Sequence, residues 1–217
     1  MRSKTIAALA GALIATSFLA APDTATAAPC GTTTLDVWLG IPGFSCTVGD
    51  KTFGNFLYQQ DGFNGTNGHT NVPASSVGVG PSNLSAGPGL VFNAFWSNSG
   101  TTTADAFISF TVTAPASAPI SDFHLLLDGV VGSVLDVGSL SNGVTLSSSD
   151  NLEHSISFAP VISLLVQDDI GVNPGGTVSS MHKAFSEVPL PGALPLFATG
   201  LAGLGLLGWR RKRKAAA

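Results

Sequence analysis

Apolar and polar residues alternate with a period of two through three segments in the middle of the chain. This alternation, rich in β-branched and aromatic residues, is the signature of strands with one buried face. The segments run from Ala106 to Thr113, from Asp122 to Asp128 and from Val161 to Ile170. Their predicted core-facing residues are Ile108, Phe110 and Val112, then Phe123, Leu125 and Leu127, then Ile162, Leu164 and Val166, the last group preceding Asp168-Asp169.

Tight-turn sequences separate the alternating segments, because Gly after Asp or Asn supplies the positive φ angles that hairpins need. No part of residues 28–187 shows a sustained apolar stripe with a helical period and caps. We therefore predict an all-β, antiparallel sandwich of roughly eight to ten strands, and both a jelly roll and a Greek-key sandwich fit the pattern. The turn sequences are Asp61-Gly62, Asn64-Gly65, Asn67-Gly68, Asp128-Gly129, Asn142-Gly143 and Pro174-Gly175-Gly176.

The N-terminal segment has the composition of a secretory signal peptide. Arg2 and Lys4 precede an apolar stretch from Ile6 to Ala21, and Ala25-Thr26-Ala27 supplies a small-x-small cleavage site. We therefore assign residues 1–27 to a signal peptide, with the Sec translocon and signal peptidase as the partners of export. The ectodomain is predicted to span residues 28–187, which is long enough for one domain with its own core.

The chain ends in an apolar segment with a proline motif before it and a basic cluster after it. The apolar segment, residues 192–209, contains no charge, and as a helix it would measure about 27 Å, close to the thickness of a membrane's hydrocarbon layer. Consecutive cations resist translocation and would stay in the cytoplasm. The proline motif is Val188-Pro189-Leu190-Pro191, and the basic cluster is Arg210-Arg211-Lys212-Arg213-Lys214.

This order of proline motif, single transmembrane helix and basic tail resembles the C-terminal sorting signal of the PEP-CTERM proteins of Gram-negative bacteria. Val-Pro-Leu-Pro stands where Pro-Glu-Pro gives that family its name. The resemblance implies that exosortase, an integral-membrane transpeptidase-like enzyme, recognises the motif and removes or exchanges residues 188–214. Anchoring in the inner membrane would then be transient. An ordinary C-terminal membrane anchor is the alternative interpretation of the same segment.

Three blocks of the ectodomain also resemble PEP-CTERM ectodomains. The resemblance implies a β-sandwich at the cell surface or outside the cell, associated with exopolysaccharide or biofilm matrix, and it transfers no catalytic residue. The blocks are Cys46 to Phe53 with Asn55-Phe56, Ile108 to Thr113, and Phe158 with Leu164-Leu165-Val166.

Charge is distributed unevenly between the two signals and the ectodomain. Of nine Lys and Arg residues, only Lys51 and Lys183 lie within residues 28–187, against twelve acidic residues there, which gives a formal net charge of −10. Such a surface does not attract nucleic acid or an anionic membrane. We expect it to keep the domain soluble through self-repulsion.

Cys30 and Cys46 are the only cysteines in the sequence. An even number at short separation in an exported chain predicts a disulfide. In the chain-entropy model a bridge closing a loop of this length stabilises the fold by about 3 kcal/mol. It would pin an N-terminal loop that contains Trp38 and Phe44.

Candidate catalytic chemistry is sparse. The four histidines, His69, His124, His154 and His182, do not have the spacing of a metal-binding pair. The run Gly43-Phe44-Ser45-Cys46-Thr47 lacks the final glycine of a nucleophile elbow. We predict no catalytic residue, no metal site and no enzymatic activity. A glycosidase pair of carboxylates stays open, because separation in space is not visible in a sequence.

Calcium binding is a minority hypothesis. The segment from Asp61 to Gly68 and the pair Asp168-Asp169, which we place at a strand end, offer hard oxygen ligands. The spacing of the first segment differs from that of an EF-hand loop. Solvated turn residues are therefore the favoured interpretation, and no cofactor is required.

Aromatic residues divide between two interpretations. Trp96 and Tyr58 are a candidate sugar platform, but Phe92, Phe95 and Trp96 in one run favour packing in the core. We expect a structural or adhesive protein of the extracellular matrix, with a carbohydrate-binding module as the alternative and a secreted hydrolase as the less favoured one. An aromatic strip on an exposed face would indicate the sugar binder, and a convergent carboxylate pair in a cleft would indicate the hydrolase.

Overall fold

The alternating segments form two sheets in the computed structural model, which describes residues 27–63, 65–82 and 84–187. Each sheet has one buried face, and together these faces form the core. Sheet A contains, in spatial order, β1 (Ala28–Pro29), β3 (Ser45–Val48), β4 (Lys51–Asp61), β7 (Ala104–Thr113), β12 (Ser163–Val172), β9 (Val134–Leu140) and β10 (Thr145–Ser148). Sheet B contains β11 (His154–Val161), β8 (Ile120–Asp128), β13 (Thr177–Glu187), β6 (Gly89–Ser97), β5 (Gly78–Pro81) and β2 (Thr33–Thr34).

The predicted all-β sandwich is confirmed, with antiparallel pairing throughout the described strands except between β1 and β3. The strand number exceeds the prediction, because five strands of two or four residues are too short to show a period. The same shortness hid a single helical turn, α1 (Leu35–Leu39), and a 3-10 turn at Ala74–Ser76.

Two of the three predicted strands are confirmed together with their core faces. β7 and β8 bury the apolar residues assigned to them. β12 buries Leu164 and Val166, but it begins at Ser163, and Ile162 is 54% exposed. The prediction for Ile162 is wrong because the chain bends there and crosses from sheet B to sheet A. Alternation does not report where a chain changes sheets.

Aromatic rings fill the space between the sheets. The Phe110 ring lies 6.1 Å from Phe53, 5.9 Å from Phe92 and 6.4 Å from Phe185, measured between ring centroids. Such pairs add to the free energy of burial. Trp96 is fully buried, so its predicted place in the core is confirmed. Phe95 is 62% exposed, and its predicted place in the core is wrong, because neighbouring residues of a strand face opposite sides.

The turn glycines behave as the dipeptides predict. Gly129 and Gly143 adopt φ angles of 68° and 84°, in the region that favours glycine, and each closes the connection after a strand. Gly62, Gly65, Gly68 and Gly175 also have positive φ angles.

The predicted disulfide between Cys30 and Cys46 is confirmed, with a Cα–Cα distance of 4.8 Å. It joins the chain just after β1 to strand β3. The Trp38 ring of α1 is buried and stacks on Phe44, with ring centroids 5.1 Å apart. The bridge therefore holds the aromatic N-terminal segment against the edge of sheet A.

Candidate functional site

A groove of about 710 Å³ lies on the outer face of sheet A. A smaller hollow of about 220 Å³ adjoins it and shares Asp105 and Asp169 with it. The larger groove is lined by Gln59, Gln60 and Asp61 of β4, Asp105 and Phe107 of β7, and Asp169 of β12. All of these residues belong to strands, so the groove has a sheet for its floor and stays open to solvent.

Strand register brings three carboxylates to this groove. Asp61 lies directly opposite Asp105 across β4 and β7, and Asp169 lies opposite Phe107 across β12 and β7. Asp105 and Asp169 are therefore diagonal neighbours, within reach of one another on the same face. A Cβ atom at Gly171 would lie 3.0 Å from Asp105 Oδ1, so the absence of a side chain there leaves room for that carboxylate.

The electrostatics of the groove are unfavourable for the fold. Burial raises the pKa of Asp105, and repulsion from Asp169 and Asp61 raises it further. Burial also raises the pKa of Asp169, together with repulsion from Asp168. Like charges directly opposite one another destabilise a sheet. Titratable groups perturbed in this way cluster at functional sites.

The groove presents chemistry suited to a polyhydroxylated ligand. Carboxylate oxygens accept hydrogen bonds from hydroxyl groups, and the exposed Gln59 amide both donates and accepts. The half-buried Phe107 ring supplies an apolar surface between these polar groups. Within the described ranges, no group of three or more His, Cys, Asp or Glu side chains is arranged to hold a metal ion.

The placement of Asp168 corrects the calcium hypothesis. We expected Asp168-Asp169 at a strand end, whereas β12 continues to Val172. Asp168 is 1% exposed, and its Oδ1 atom lies 2.7 Å from Lys183 Nζ. Consecutive residues of a strand face opposite sides, so Asp168 points into the core while Asp169 points into the groove.

On the outer face of sheet B, His182 is held between an acid and a serine. Its Nε2 atom lies 3.0 Å from Asp128 Oδ2, and its Nδ1 atom lies 3.1 Å from Ser82 Oγ. Burial lowers the pKa of His182, and attraction to Asp128 offsets this effect only in part. Ser82 Oγ also accepts a hydrogen bond from the backbone N–H of Leu84. His182 thus ties the loop after β5 to β13.

A second histidine of sheet B has a similar setting. His124 Nδ1 lies 3.0 Å from Glu153 Oε1, and its Nε2 atom lies 3.4 Å from Ser186 Oγ. The spacing of the histidines in the sequence reveals neither arrangement, because their partners come from distant strands and loops. None of these residues lines the grooves of sheet A.

The predicted sorting elements lie outside the described residues. These are residues 1–26 of the signal peptide, the motif Val188 to Pro191, the apolar segment 192–209 and the basic cluster Arg210 to Lys214. Within the described part of the chain we find no helix with the length and apolar character needed to cross a membrane.

Comparison with known proteins finds only distant likeness. No family profile and no curated protein matches the chain. The solved structure of TmCBM61 in complex with β-1,4-galactotriose is similar at 10% identity, over 61% of this chain and 89% of that one, with a TM-score of 0.31. TmCBM27, a carbohydrate-binding module that recognises mannan, is similar at 7% identity, over 73% and 96%, with a TM-score of 0.32. At these scores neither likeness carries an argument about function.

Proposed function

We propose that this protein is an exported, non-enzymatic adhesive protein that binds polysaccharide in the groove of sheet A. The observation that carries the proposal is the juxtaposition of Asp61, Asp105 and Asp169 around the Phe107 ring. A sugar ring has hydroxyl groups at its rim and an apolar face. The carboxylates match the rim, and the aromatic ring matches the face.

The distribution of charge favours a neutral polysaccharide. Lys51 and Lys183 are the only Lys or Arg residues of the ectodomain, and both are fully buried. The described surface therefore presents carboxylates without any lysine or arginine to balance them. An anionic polymer is repelled by such a surface unless divalent cations bridge the two.

Export and C-terminal processing complete the proposal. The disulfide is consistent with an oxidising compartment outside the cytoplasm. The proline motif, the apolar segment and the basic cluster support recognition by exosortase at the inner membrane, followed by release to the cell surface or the medium.

In a host that has exosortase, peptide mapping should place the mature C-terminus at or near Val188 to Pro191. Peptides from Arg210 to Lys214 on the secreted form would contradict this processing.

Ligand binding is tested by calorimetric titration of the purified protein with a panel of neutral and anionic polysaccharides. Phe107→Ala and Asp169→Asn should each weaken binding by about tenfold or more, which corresponds to about 1.4 kcal/mol. Phe95→Ala is the matched control, because it removes an exposed aromatic ring from sheet B and should leave affinity unchanged. Binding that survives Phe107→Ala but is lost in Phe95→Ala would move the site to sheet B.

A secreted glycoside hydrolase is the second candidate, because carboxylates converge in the groove. Two carboxyl groups in a cleft are the common requirement of glycoside hydrolysis. We favour binding, because the described residues that line this groove all belong to strands, and none of them is a loop residue that could exclude water during a reaction. Release of reducing sugar that is lost in Asp105→Asn or Asp169→Asn, with ligand binding retained, would establish the hydrolase instead.

A further inference from the structure

Lys183, Asp136 and Asp168 form a cluster in the interior of the sandwich. Lys183 comes from β13 of sheet B, whereas Asp136 and Asp168 come from the neighbouring strands β9 and β12 of sheet A. The Nζ atom lies 2.5 Å from Asp136 Oδ2 and 2.7 Å from Asp168 Oδ1. The side chains of Lys183 and Asp136 have no exposed surface, and that of Asp168 is 1% exposed. An amine and two carboxyl groups therefore meet where water does not reach.

As an ionic cluster this arrangement is costly. Asp136 Oδ1 and both carboxylate oxygens of Asp168 are buried without a well-aligned hydrogen bond. Buried polar atoms are normally satisfied, and buried ions are stabilising only when all their hydrogen-bonding groups are paired. One positively charged lysine also cannot neutralise two ionised carboxylates. A chemical change that removes the charges would remove this cost.

The pKa shifts of Asp136 and Lys183 bear on whether such a reaction can occur. Burial raises the pKa of Asp136 well above its usual range, repulsion from Asp168 adds to this, and attraction to Lys183 offsets it only in part. Asp136 therefore keeps its proton to a higher pH than an ordinary carboxyl group does. Burial alone would lower the pKa of Lys183, but attraction to Asp136 and Asp168 outweighs it and raises that pKa. The resting amine is protonated and needs a base.

We infer that Lys183 and Asp136 condense into an intramolecular amide that covalently joins sheet B to sheet A, with Asp168 as the catalytic residue that transfers protons. The three side chains are already in contact, so the reaction needs no cofactor and no second molecule. Reacting groups fixed in contact behave as if present at about 10⁵–10⁸ M, which replaces the activation that an amide otherwise requires.

The reaction balances within the three side chains. The Asp168 carboxylate takes one proton from the Lys183 ammonium group, which leaves a neutral amine and changes no net charge. The amine nitrogen attacks Cγ of the protonated Asp136, and a C–N bond forms. Asp168 relays a proton from the nitrogen to the departing hydroxyl group, and the C–O bond breaks with loss of one water molecule. The products are a secondary amide, a neutral Asp168 acid and water.

The surroundings of the cluster favour condensation over hydrolysis. Gly138 pairs with Asp168 across β9 and β12, and a Cβ atom there would lie 2.6 Å from Phe123 Cε1. The absence of a side chain lets the Phe123 ring pack close to Asp168, and the Phe185 ring stacks on Phe123 at 5.4 Å. This aromatic cover limits the access of bulk water, so the amide is protected from hydrolysis once its water molecule has left.

Lys51 provides an internal comparison. It is fully buried and contacts Glu187 and Asp50, so it also has two acidic partners. The side chains of Glu187 and Asp50, however, are 33% and 38% exposed. Water therefore reaches the acidic partners of Lys51, and condensation is not protected there as it is at Lys183. We therefore expect one amide in the protein, at Lys183, and a simple ion pair at Lys51.

The test is the mass of the protein as purified from its exporting host, measured after unfolding and reduction of the disulfide. With both termini read from the terminal peptides, the mass should be lower than the sequence mass by one water molecule. Proteolysis and tandem mass spectrometry should give a branched peptide that joins Lys183 to Asp136. A full sequence mass for the folded protein would overturn the proposal, and this result requires no variant.

Controls exclude other sources of water loss. Asp61-Gly62 and Asp128-Gly129 are sequences at which a backbone succinimide also loses one water, but hydroxylamine opens a succinimide and leaves an amide intact. Lys183→Met and Asp136→Ala should each have the full mass of their own sequence. Lys51→Met should still be lighter than its sequence by one water molecule. Asp168→Asn should leave most of the protein unlinked. A water loss that hydroxylamine reverses, or that persists in Lys183→Met, would overturn the proposal.

Discussion

Asp105 is a residue of the sheet A groove that lowers the stability of the fold. Burial, with repulsion from Asp169 and Asp61, raises its pKa above the ordinary value of 3.8. A carboxyl group whose pKa rises on folding favours the folded state only while it is protonated. This contribution is present below pH 3.8 and is lost as the pH rises through the folded pKa. At pH 7 the ionised Asp105 therefore destabilises the fold.

Asp105→Asn should raise the free energy of unfolding at pH 7 by less than about 1 kcal/mol, because solvent screens partly exposed charges. Chemical denaturation at pH 7 measures the gain, which should shrink when the measurement is repeated below about pH 4. Asp150→Asn is the control, since a hydrogen bond from His154 lowers the pKa of Asp150. An equal gain in both variants would show that net charge, and not the groove, is responsible.

His182 gives stability a pH dependence of the opposite sign. Burial lowers its pKa below 6.5, so the unfolded chain binds a proton more readily than the folded one. The stability contributed by neutral His182 is present above pH 6.5 and is lost as the pH falls from there through the folded pKa.

His182→Gln should flatten the fall in unfolding free energy between about pH 6.5 and pH 5. Denaturation midpoints across this range provide the measurement. The variant Phe95→Ala, an exposed substitution that removes no titratable group, should keep the wild-type pH dependence. If both variants retain the wild-type profile, His182 is not the titrating group.

At the scale of elements, the sequence predicts the long strands, but it does not predict which strands pair or in which register. β7 and β8 carry enough alternating residues to show both the strand and its buried face. The groove depends on which residue of β4 faces which residue of β7, and pairing register between distant strands is not encoded in either segment alone. The buried lysine did leave a signal, because Met181, Lys183 and Phe185 share one face of β13. A cation in an apolar stripe indicates a buried partner.

The disulfide between Cys30 and Cys46 is a link between elements that the sequence predicts correctly. It fixes the segment after β1 to β3, at the edge of sheet A where β1 is only two residues long. Cys46→Ala should lower the free energy of unfolding by about 2–5 kcal/mol. Denaturation measures the loss, and thiol labelling of unfolded, unreduced wild-type protein should give no signal. The proposed C-terminal processing should be unchanged, so a defect in it would show that the bridge acts beyond the local fold.

Strand β13 carries ionic contacts between the two sheets at two of its residues. Lys183 contacts Asp136 of sheet A, and Glu187 of the same strand contacts Lys51 of β4. Both lysines within residues 27–187 therefore connect the two sheets, and neither reaches the surface. The described surface therefore carries carboxylates with no lysine or arginine among them.

Surface charge therefore predicts how the protein associates with host polymer. Binding to an anionic polysaccharide should be weak at low ionic strength and should increase slightly with NaCl, because monovalent salt screens the repulsion. At matched ionic strength it should increase more with Ca²⁺, because a divalent cation bridges two carboxylate surfaces. A pull-down on extracellular polymer, with and without chelator, measures this dependence. Binding to a neutral polysaccharide should respond to neither ion, because its contacts are hydrogen bonds and ring packing. Chelator-insensitive binding of the anionic polymer that is lost in Phe107→Ala would show instead that the groove itself takes an anionic ligand, against the field of the surrounding carboxylates.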